Sequence, residues 1–399
     1  MEHKAARGGR DARGNTKRRR TQGFVRKWTL YPPRRVAADS DVPTVAKTFR
    51  VLSFNVLADY IALRDTIPDA EEPWKYDWAH RCRGLLREIR TWRADIICLQ
   101  EVDHYEDFFE PELKKAGYKG VFKKRTGEDT HDGCAIFIHS KNFDIVASVP
   151  LEYHVPGHPL LDRHNIALQA VVDWRGDGAE PQRFVVANTH LLFNPGRGDV
   201  KLAQLQRLLT SLHELREGEH VLTPSSPLPV LVCGDFNLAP HSPLYEFLSR
   251  GELDVSGLSK HLLSGQNMEY HQKRGHHAVE HDSARHHGHG TAWGRFQSDR
   301  AQRTYHRHFP KDTVVNHSLP LASAYAQMPN DRCTGEPKFT TFHEGTKCTV
   351  DYVWFTTDSL HCHGVVEMAP AGQLFKAKVL PTASHSSDHL SLVADFALL

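Results

Sequence analysis

No run of about 18 apolar residues occurs in this chain, so no stretch of it is written as a membrane-spanning helix. The N-terminus also lacks the apolar core of roughly 7 to 15 residues that a secretory signal carries. The expectation is a soluble intracellular protein, cytoplasmic or nuclear, with no membrane partner and organelle targeting by the basic N-terminus left open. Cysteine is sparse and unpaired in pattern: Cys82, Cys98, Cys134, Cys233, Cys333, Cys348 and Cys362 include no CxxC. Several sit in apolar runs such as IICLQ and VLVCGD and read as buried free thiols.

The 399 residues that remain to be explained are 40% hydrophobic and 25% charged, which suits a globular chain able to bury a sizeable core. One large domain with added segments fits that length. The net charge of +2 conceals a division. Residues 1–50 hold 14 Lys/Arg against 4 Asp/Glu, leaving 36 basic and 44 acidic residues in the rest. Residues 1–47, with Gly, Arg, the run KRRR from Lys17 to Arg20 and few large apolar side chains, read as a disordered basic arm. Such an arm serves as a nuclear address, an organelle presequence, an RNA-binding tail or a solvated extension. Its charge suits a polyanion, whose phosphates release counterions when Lys and Arg neutralise them.

From Phe49 the pattern is regular. FRVLSFNVLA and ADIICLQEV read as strands, and WAHRCRGLLREIRTW between them as a helix of 3.6-residue period. CAIFIHS, IALQAVVDW, FVVANTHLL, LPVLVCGDF, VDYVWFT and LSLVADFAL are further strands, and KLAQLQRLLTSLHELRE is a second amphipathic helix. Strands alternating irregularly with helices predict a sheet-rich α/β sandwich over 48–399 rather than a strict βαβ repeat. The pattern breaks at about 258–317, where His261, His271, His276, His277, His281, His286, His287, His289, His306 and His308 crowd a polar stretch. Without fixed spacing or cysteine this reads as a surface-loop insertion rather than a zinc or copper site.

The polar motifs stand at the ends of the apolar runs, where rigid strands deliver side chains to a shared cleft. SFN ends in Asn55, LQE in Glu101 and NTH in His190; GDFN holds Asp235 and Asn237, TVDYV holds Asp351, and SSDHLSL holds Asp388 and His389. Magnesium takes hard oxygen ligands and keeps several waters, so Glu101 is the first candidate ligand. Asn55 offers an amide oxygen or a hydrogen bond to a bound water, and Asp388 a further ligand or an acceptor for such a water. Asp235 and Asn237, two apart, would face the same way in extended backbone and converge on one water, with Asp235 as general base. Gly234 would let backbone and substrate approach closely. His389, oriented by Asp351, and His190 are placed to stabilise charge on a phosphate.

FNVLAD, LQEVD, DGCAIF, NTHL, GDFNLAPHSPLY, TVDYVWF and SDHLSLVADF, in this order, resemble the exonuclease-endonuclease-phosphatase superfamily. RTGEDTHDGCAIF, RHNIAL and NPGRGDVKLAQ are most similar to its branch of carbon-catabolite-repressor deadenylases with Nocturnin and Angel. The resemblance covers roughly 48–255 and 318–399. It implies a four-layer αββα sandwich of two packed, mainly antiparallel sheets flanked by helices, with the site along their top edge. It implies Asn55 and Glu101 as the metal pair for Mg2+, or Mn2+ in its place, with Asp388 beside them. Asp235 and Asn237 match the water-activating pair, Asp351 and His389 the carboxylate-histidine pair, and His190 a phosphate contact. Asn165 and Pro195 fall at substrate-facing positions.

At the position where the deadenylases carry a base-stacking aromatic, this chain has Thr346, with Phe342 and His343 nearby. Stacking on an aromatic contributes about 1–3 kcal/mol per base, so the change bears on adenine preference. No leucine-rich repeats precede the catalytic part, which argues against a platform for the large deadenylation complex and for a monomer. The resemblance favours a Mg-dependent 3'-to-5' exoribonuclease acting on RNA 3' ends or poly(A) tails, with a role in mRNA decay. The alternatives are a phosphatase for a 2',3'-cyclic phosphate or a dinucleotide 2'-phosphate, a DNA-repair endonuclease, and a non-catalytic RNA-binding adaptor.

Overall fold

The apolar runs carry Val, Ile, Leu and Ala at nearly every position because their strands are buried on both faces. The computed structural model describes residues 23–32, 47–65, 72–176, 180–218, 227–266, 309, 313–327 and 335–399. One sheet has seven strands, in the order β1 (Trp28–Leu30), β16 (Leu360–Val366), β17 (Leu392–Leu398), β2 (Phe49–Asn55), β3 (Ile96–Gln100), β5 (Gly133–His139) and β4 (Tyr118–Lys124). The other has six: β12 (Leu321–Ser323), β15 (Asp351–Thr356), β9 (Val230–Asp235), β8 (Gln182–His190), β7 (Ile166–Trp174) and β6 (Phe143–Glu152). Two short antiparallel pairs join β10 (Glu252–Asp254) to β11 (Val314–Asn316) and β13 (Thr341–Phe342) to β14 (Lys347–Cys348).

Within the two large sheets neighbours are antiparallel except β2–β3 and β8–β9. A parallel pair cannot be closed by a tight turn and needs a crossover. Those crossovers supply the outer layers: α1 (Asp59–Asp65) and α2 (Trp78–Trp92) lie between β2 and β3, and α4 (Gly198–Arg216) lies between β8 and β9. Among the described residues the remaining α-helices are α3 (Glu110–Lys115), α5 (Pro243–Arg250) and α6 (Ala371–Ala377).

Alternate residues of each strand then pack in opposite directions. Val51, Ile96, Cys98 and Ile136 meet Leu168, Ala170, Val186 and Leu231 between the sheets. Leu52, Phe54 and Ile97 pack outward on Leu85 and Ile89 of α2, while Val171, Val185 and Val230 pack on Leu205, Leu208 and Leu212 of α4. The result is the expected αββα sandwich. Cys98, Cys134, Cys233 and Cys362 are buried in it, whereas Cys82 and Cys348 are half-buried. Among the described residues no helix is long and apolar enough to cross a membrane.

Two boundaries move. The basic arm expected over 1–47 contains a docked piece, because β1 pairs with the edge strand β16 and the Tyr31 hydroxyl donates to the Ala324 carbonyl at 2.9 Å. Arg26 forms an ion pair with Glu88 at 3.3 Å and donates to Ser391 Oγ at 2.9 Å. A sheet edge and a half-buried acid thus order a segment whose composition reads as disordered. The histidine-rich insertion also starts later than expected, since Ala239 N–H donates to Ser264 O and Leu244 N–H to Leu263 O. The histidines from His271 to His308 lie outside the described residues.

Candidate active site

Strand register assembles half of the site. His190 ends β8 opposite Asp235 at the end of β9, and Asp235 is paired in turn with Asp351 at the start of β15. Three polar groups from distant parts of the chain therefore stand in one row at one edge of the sheet. In the facing sheet Asn55 ends β2 in register with Gln100, and Glu101 follows. His389 joins through an isolated bridge to Thr341. The sheets are tied just below: Gln100 Nε2 donates to Asn188 Oδ1 at 2.7 Å, and Asn188 Nδ2 donates to the carbonyls of Leu99 and Ala135 at 2.8 and 2.9 Å.

Asn55 bridges the two halves. Its Nδ2 donates to Glu101 Oε1 at 2.9 Å and to Asp235 Oδ2 at 3.2 Å, while its Oδ1 accepts from Leu57 N–H at 3.0 Å. Asn55 therefore holds carboxylates rather than turning an oxygen to an ion. Glu101 Oε2 accepts from Ala58 N–H at 3.1 Å. Asp235 Oδ2 also faces His190 Nε2 at 3.6 Å and His389 Nε2 at 3.8 Å. His389 Nδ1 donates to Asp351 Oδ2 at 2.8 Å, which turns its Nε2 toward the cleft.

Asn237 does not continue the strand as extended spacing predicts. Its φ is +50°, its N–H caps Asp235 Oδ1 at 3.0 Å, and its Nδ2 donates to Leu191 O at 3.2 Å. The turn brings the Asn237 backbone N–H onto Asp235 and sends its side chain to Leu191. Glu101 and Leu57 also hold the left-handed region, with φ of +56° and +59°, conformations that cost non-glycine residues energy and cluster where function fixes the backbone. Gly234 serves a neighbour rather than a substrate: a Cβ there would stand 2.1 Å from the Thr189 carbonyl oxygen of β8.

Burial and crowding set the charges. Burial, with Asp388 and Asp132 nearby, pushes Glu101 up to about 7 against the hydrogen bond from Asn55. Burial and Asp351 push Asp235 up to about 6 against the pull of His190 and His389. Burial lowers His190, the attraction of Asp235 notwithstanding, which favours its neutral imidazole. Burial opposes a charge on His389 as well, yet Asp351 and Asp388 outweigh it and raise the group well above the ordinary histidine value.

The donors fit a divalent cation. Ligand atoms of Glu101, His190 and Asp235 lie within 4.8 Å of one another, as do those of Asp235, Asp351 and His389. His190 Nδ1 is buried with no partner among the described residues. Three buried acids with so few cationic neighbours are a set that an oxygen-seeking ion would neutralise. Asp388 belongs to neither group; its carbonyl accepts from Phe342 N–H at 3.0 Å and Ser387 Oγ is 3.4 Å from its Oδ1.

The expected substrate-facing residues separate. Asn165 is turned into the protein, with Nδ2 donating to His190 O at 3.1 Å and Oδ1 accepting from Gln204 at 3.3 Å. It shapes the His190 loop, which differs from the expectation. Pro195 sits half-buried on the loop before α4, its carbonyl accepting from Ser264 Oγ at 3.1 Å. Thr346 occupies the turn between β13 and β14, exchanging backbone hydrogen bonds with His343 at 2.9 and 3.3 Å. Phe342 is fully buried against Phe339 and Phe375, which leaves His343 as the half-buried ring of that hairpin.

Several supporting residues went unread in the sequence. Asp132 is buried and accepts from Tyr60 Oη at 2.5 Å, with Arg125 Nη1 at 3.4 Å. Arg81, also fully buried, donates to the carbonyls of Val56, Leu57 and Ser386 at 3.1, 2.8 and 3.3 Å, joining the segments that lead from Asn55 and to His389. Lys201 and Gln204 share the buried face of α4. A lysine and a glutamine three apart on an apolar stripe were the visible signal.

The array of acids, a neutral and a charged imidazole, and a site for a hard cation is suited to breaking phosphate esters. A family profile described as the Endonuclease/Exonuclease/phosphatase family matches residues 52–389. Protein angel homolog 2 of Danio rerio is 33% identical over 384 residues, covering 88% of this chain and 64% of its own length. Carbon catabolite repressor protein 4 homolog 3 of Arabidopsis thaliana is 33% identical over 367 residues, covering 90% and 78%. The crystal structure of ANGEL2, a 2',3'-cyclic phosphatase, in complex with adenosine-2',3'-vanadate, superposes with a TM-score of 0.71 at 30% identity, over 94% of this chain and 99% of that one. The human Nocturnin catalytic domain shares the fold, with a TM-score of 0.58 at 23% identity over 94% and 98%. With its polar row on the strand ends and a profile match across nearly the whole sandwich, the chain is a hydrolase of phosphate esters and belongs to the endonuclease/exonuclease/phosphatase family.

Proposed function

We propose that the chain is a divalent-metal-dependent phosphatase acting on RNA ends that carry a 2',3'-cyclic phosphate. The hairpin carries this choice. A threonine at 346 and a fully buried Phe342 remove the large aromatic faces on which a base of a processed tail would stack. Recognition then falls on the terminal phosphate, which suits the groups that converge on Asp235. The likeness to ANGEL2 over nearly its whole length supports the same reading.

Glu101, its carboxylate fixed by Asn55, would hold magnesium or manganese at the donor cluster it shares with His190 and Asp235, and such an ion when bound would supply Lewis-acid stabilisation of phosphate charge. Asp235 takes the proton from the attacking water through Oδ2, the oxygen that faces the cleft beside Asn55 Nδ2 while Asn237 N–H engages Oδ1. A value near 6 keeps it ionised at neutral pH yet basic enough to accept a proton. His389, charged and aimed by Asp351, donates to the phosphate or to the departing ribose oxygen. Neutral His190 donates through Nε2 to a non-bridging oxygen, and the basic arm adds phosphate contacts along the RNA.

A second reading, the 3'-to-5' exoribonuclease, is favoured by the 33% identity to the Arabidopsis carbon catabolite repressor homolog. End-product analysis separates them. Purified protein with Mg2+ is given RNA ending in a cyclic phosphate and RNA ending in a 3'-hydroxyl. Loss of the phosphate without shortening supports the first reading, and release of 5'-nucleotides supports the second.

A further inference from the structure

Lysines on amphipathic helices normally carry their ammonium groups out to water along the helix surface. Lys201, in the first turn of α4, goes the other way. It has no exposed surface, and its Nζ donates to the Asn237 carbonyl at 2.6 Å and to Gln266 Oε1 at 2.5 Å. Neither partner is an acid, so the charge is buried against neutral oxygens, an arrangement that costs stability and needs a reason. Burial lowers the group to about 7 against the attraction of Asp235.

The reason lies in what the Asn237 carbonyl does. A left-handed asparagine at the end of a strand turns its carbonyl off the ladder, where no strand donor meets it. Asn237 is otherwise held at two points, its N–H on Asp235 Oδ1 and its Nδ2 on Leu191 O. The ammonium supplies the third. With all three in place Asp235 Oδ1 is engaged and Oδ2 is the oxygen facing Asn55, His190 and His389.

We infer that Lys201 is a positioning residue for the reaction: it holds the Asn237 carbonyl inward, keeps the Asp235–Asn237 turn left-handed, and so aims Asp235 Oδ2 at the attacking water. The inference rests on Asp235 as the proton acceptor. It does not require a particular phosphate ester.

Lys201→Met keeps the length of the side chain and removes the charge and its hydrogen bonds. Turnover of a cyclic-phosphate RNA end with Mg2+ is expected to fall at least about tenfold in kcat with KM within about threefold, because aim is lost and binding is not. In Asn237→Gly the left-handed turn is free of strain, so adding Lys201→Met to that variant should change kcat less than about twofold, a non-additivity that simple packing would not produce. A single variant with kcat within about twofold of wild type, or two effects that multiply, overturns the inference. The crystal structure of Lys201→Met gives a readout without substrate: Asn237 is expected to leave the left-handed region and Asp235 to turn, and an unmoved turn overturns the inference. Wild type inactive on every phosphate ester, with a turn that moves in Lys201→Met, would count against the proposed function and not against this positioning role.

Discussion

His389 donates through Nδ1 to Asp351 Oδ2 at 2.8 Å, and Asp351 stands in strand register with Asp235, the acid that His389 Nε2 faces at 3.8 Å. One acid orients the imidazole and the other receives its opposite edge. Asp351→Asn should therefore lower kcat by about 1000-fold or more while leaving the fold intact. Loss of that charge also lowers His389, which Asp351 and Asp388 raise against burial, so the alkaline limb of the pH–rate profile moves to lower pH. A profile unchanged in position would contradict this role.

Asp235→Asn keeps the volume and removes the proton acceptor. kcat should fall by roughly 100- to 10 000-fold at saturating Mg2+. Near-wild-type turnover under those conditions would refute the assignment.

Glu101 provides a test through pH. Its folded value, about 7, lies above that of an unfolded glutamate, so its contribution to stability is full below about 4.5 and is lost as pH rises through about 7. In metal-free protein, the stability of Glu101→Gln relative to wild type should grow by about 2–3 kcal/mol between pH 4.5 and pH 8. Urea unfolding in EDTA at the two pH values measures it, and a flat difference would show that the carboxyl is not crowded.

The docked piece of the N-terminal arm separates two truncations. Removing residues 1–22 should leave stability unchanged and weaken RNA binding at low salt, since that segment carries the KRRR run. Removing 1–32 also strips Arg26 from Glu88 and uncovers the edge of β16. That loss should amount to about 2–4 kcal/mol, reduced from the full value for a buried pair because the Glu88 side chain is a quarter exposed. Equal stability of the two truncations would contradict the docking.

The layers and the strand ends were legible because buried strands and amphipathic crossover helices leave a periodic record: the stretch Trp78–Trp92 was readable as a helix, and Asn55, Glu101, His190, Asp235, Asp351 and His389 all converge. What was hidden depends on pairing across the chain. Arg26 is ordered by Glu88 on another element, and Asn165 reads as substrate-facing until Gln204 and His190 are brought beside it. Asn237 curls because its N–H finds Asp235 and its carbonyl finds Lys201, which spacing along a strand cannot anticipate.

The most direct test of the account follows the 3' end of one RNA. An oligonucleotide ending in a 2',3'-cyclic phosphate, labelled at its 5' end, is incubated with the full chain and Mg2+, and its length and terminal group are read by mass spectrometry. The expected result is unchanged length, with one water opening the cyclic phosphate to a 2'- or 3'-monophosphate and a second releasing inorganic phosphate to leave free 2'- and 3'-hydroxyls, both abolished in Asp235→Asn. An untouched cyclic end, alongside stepwise shortening of a 3'-hydroxyl oligoadenylate, would contradict it.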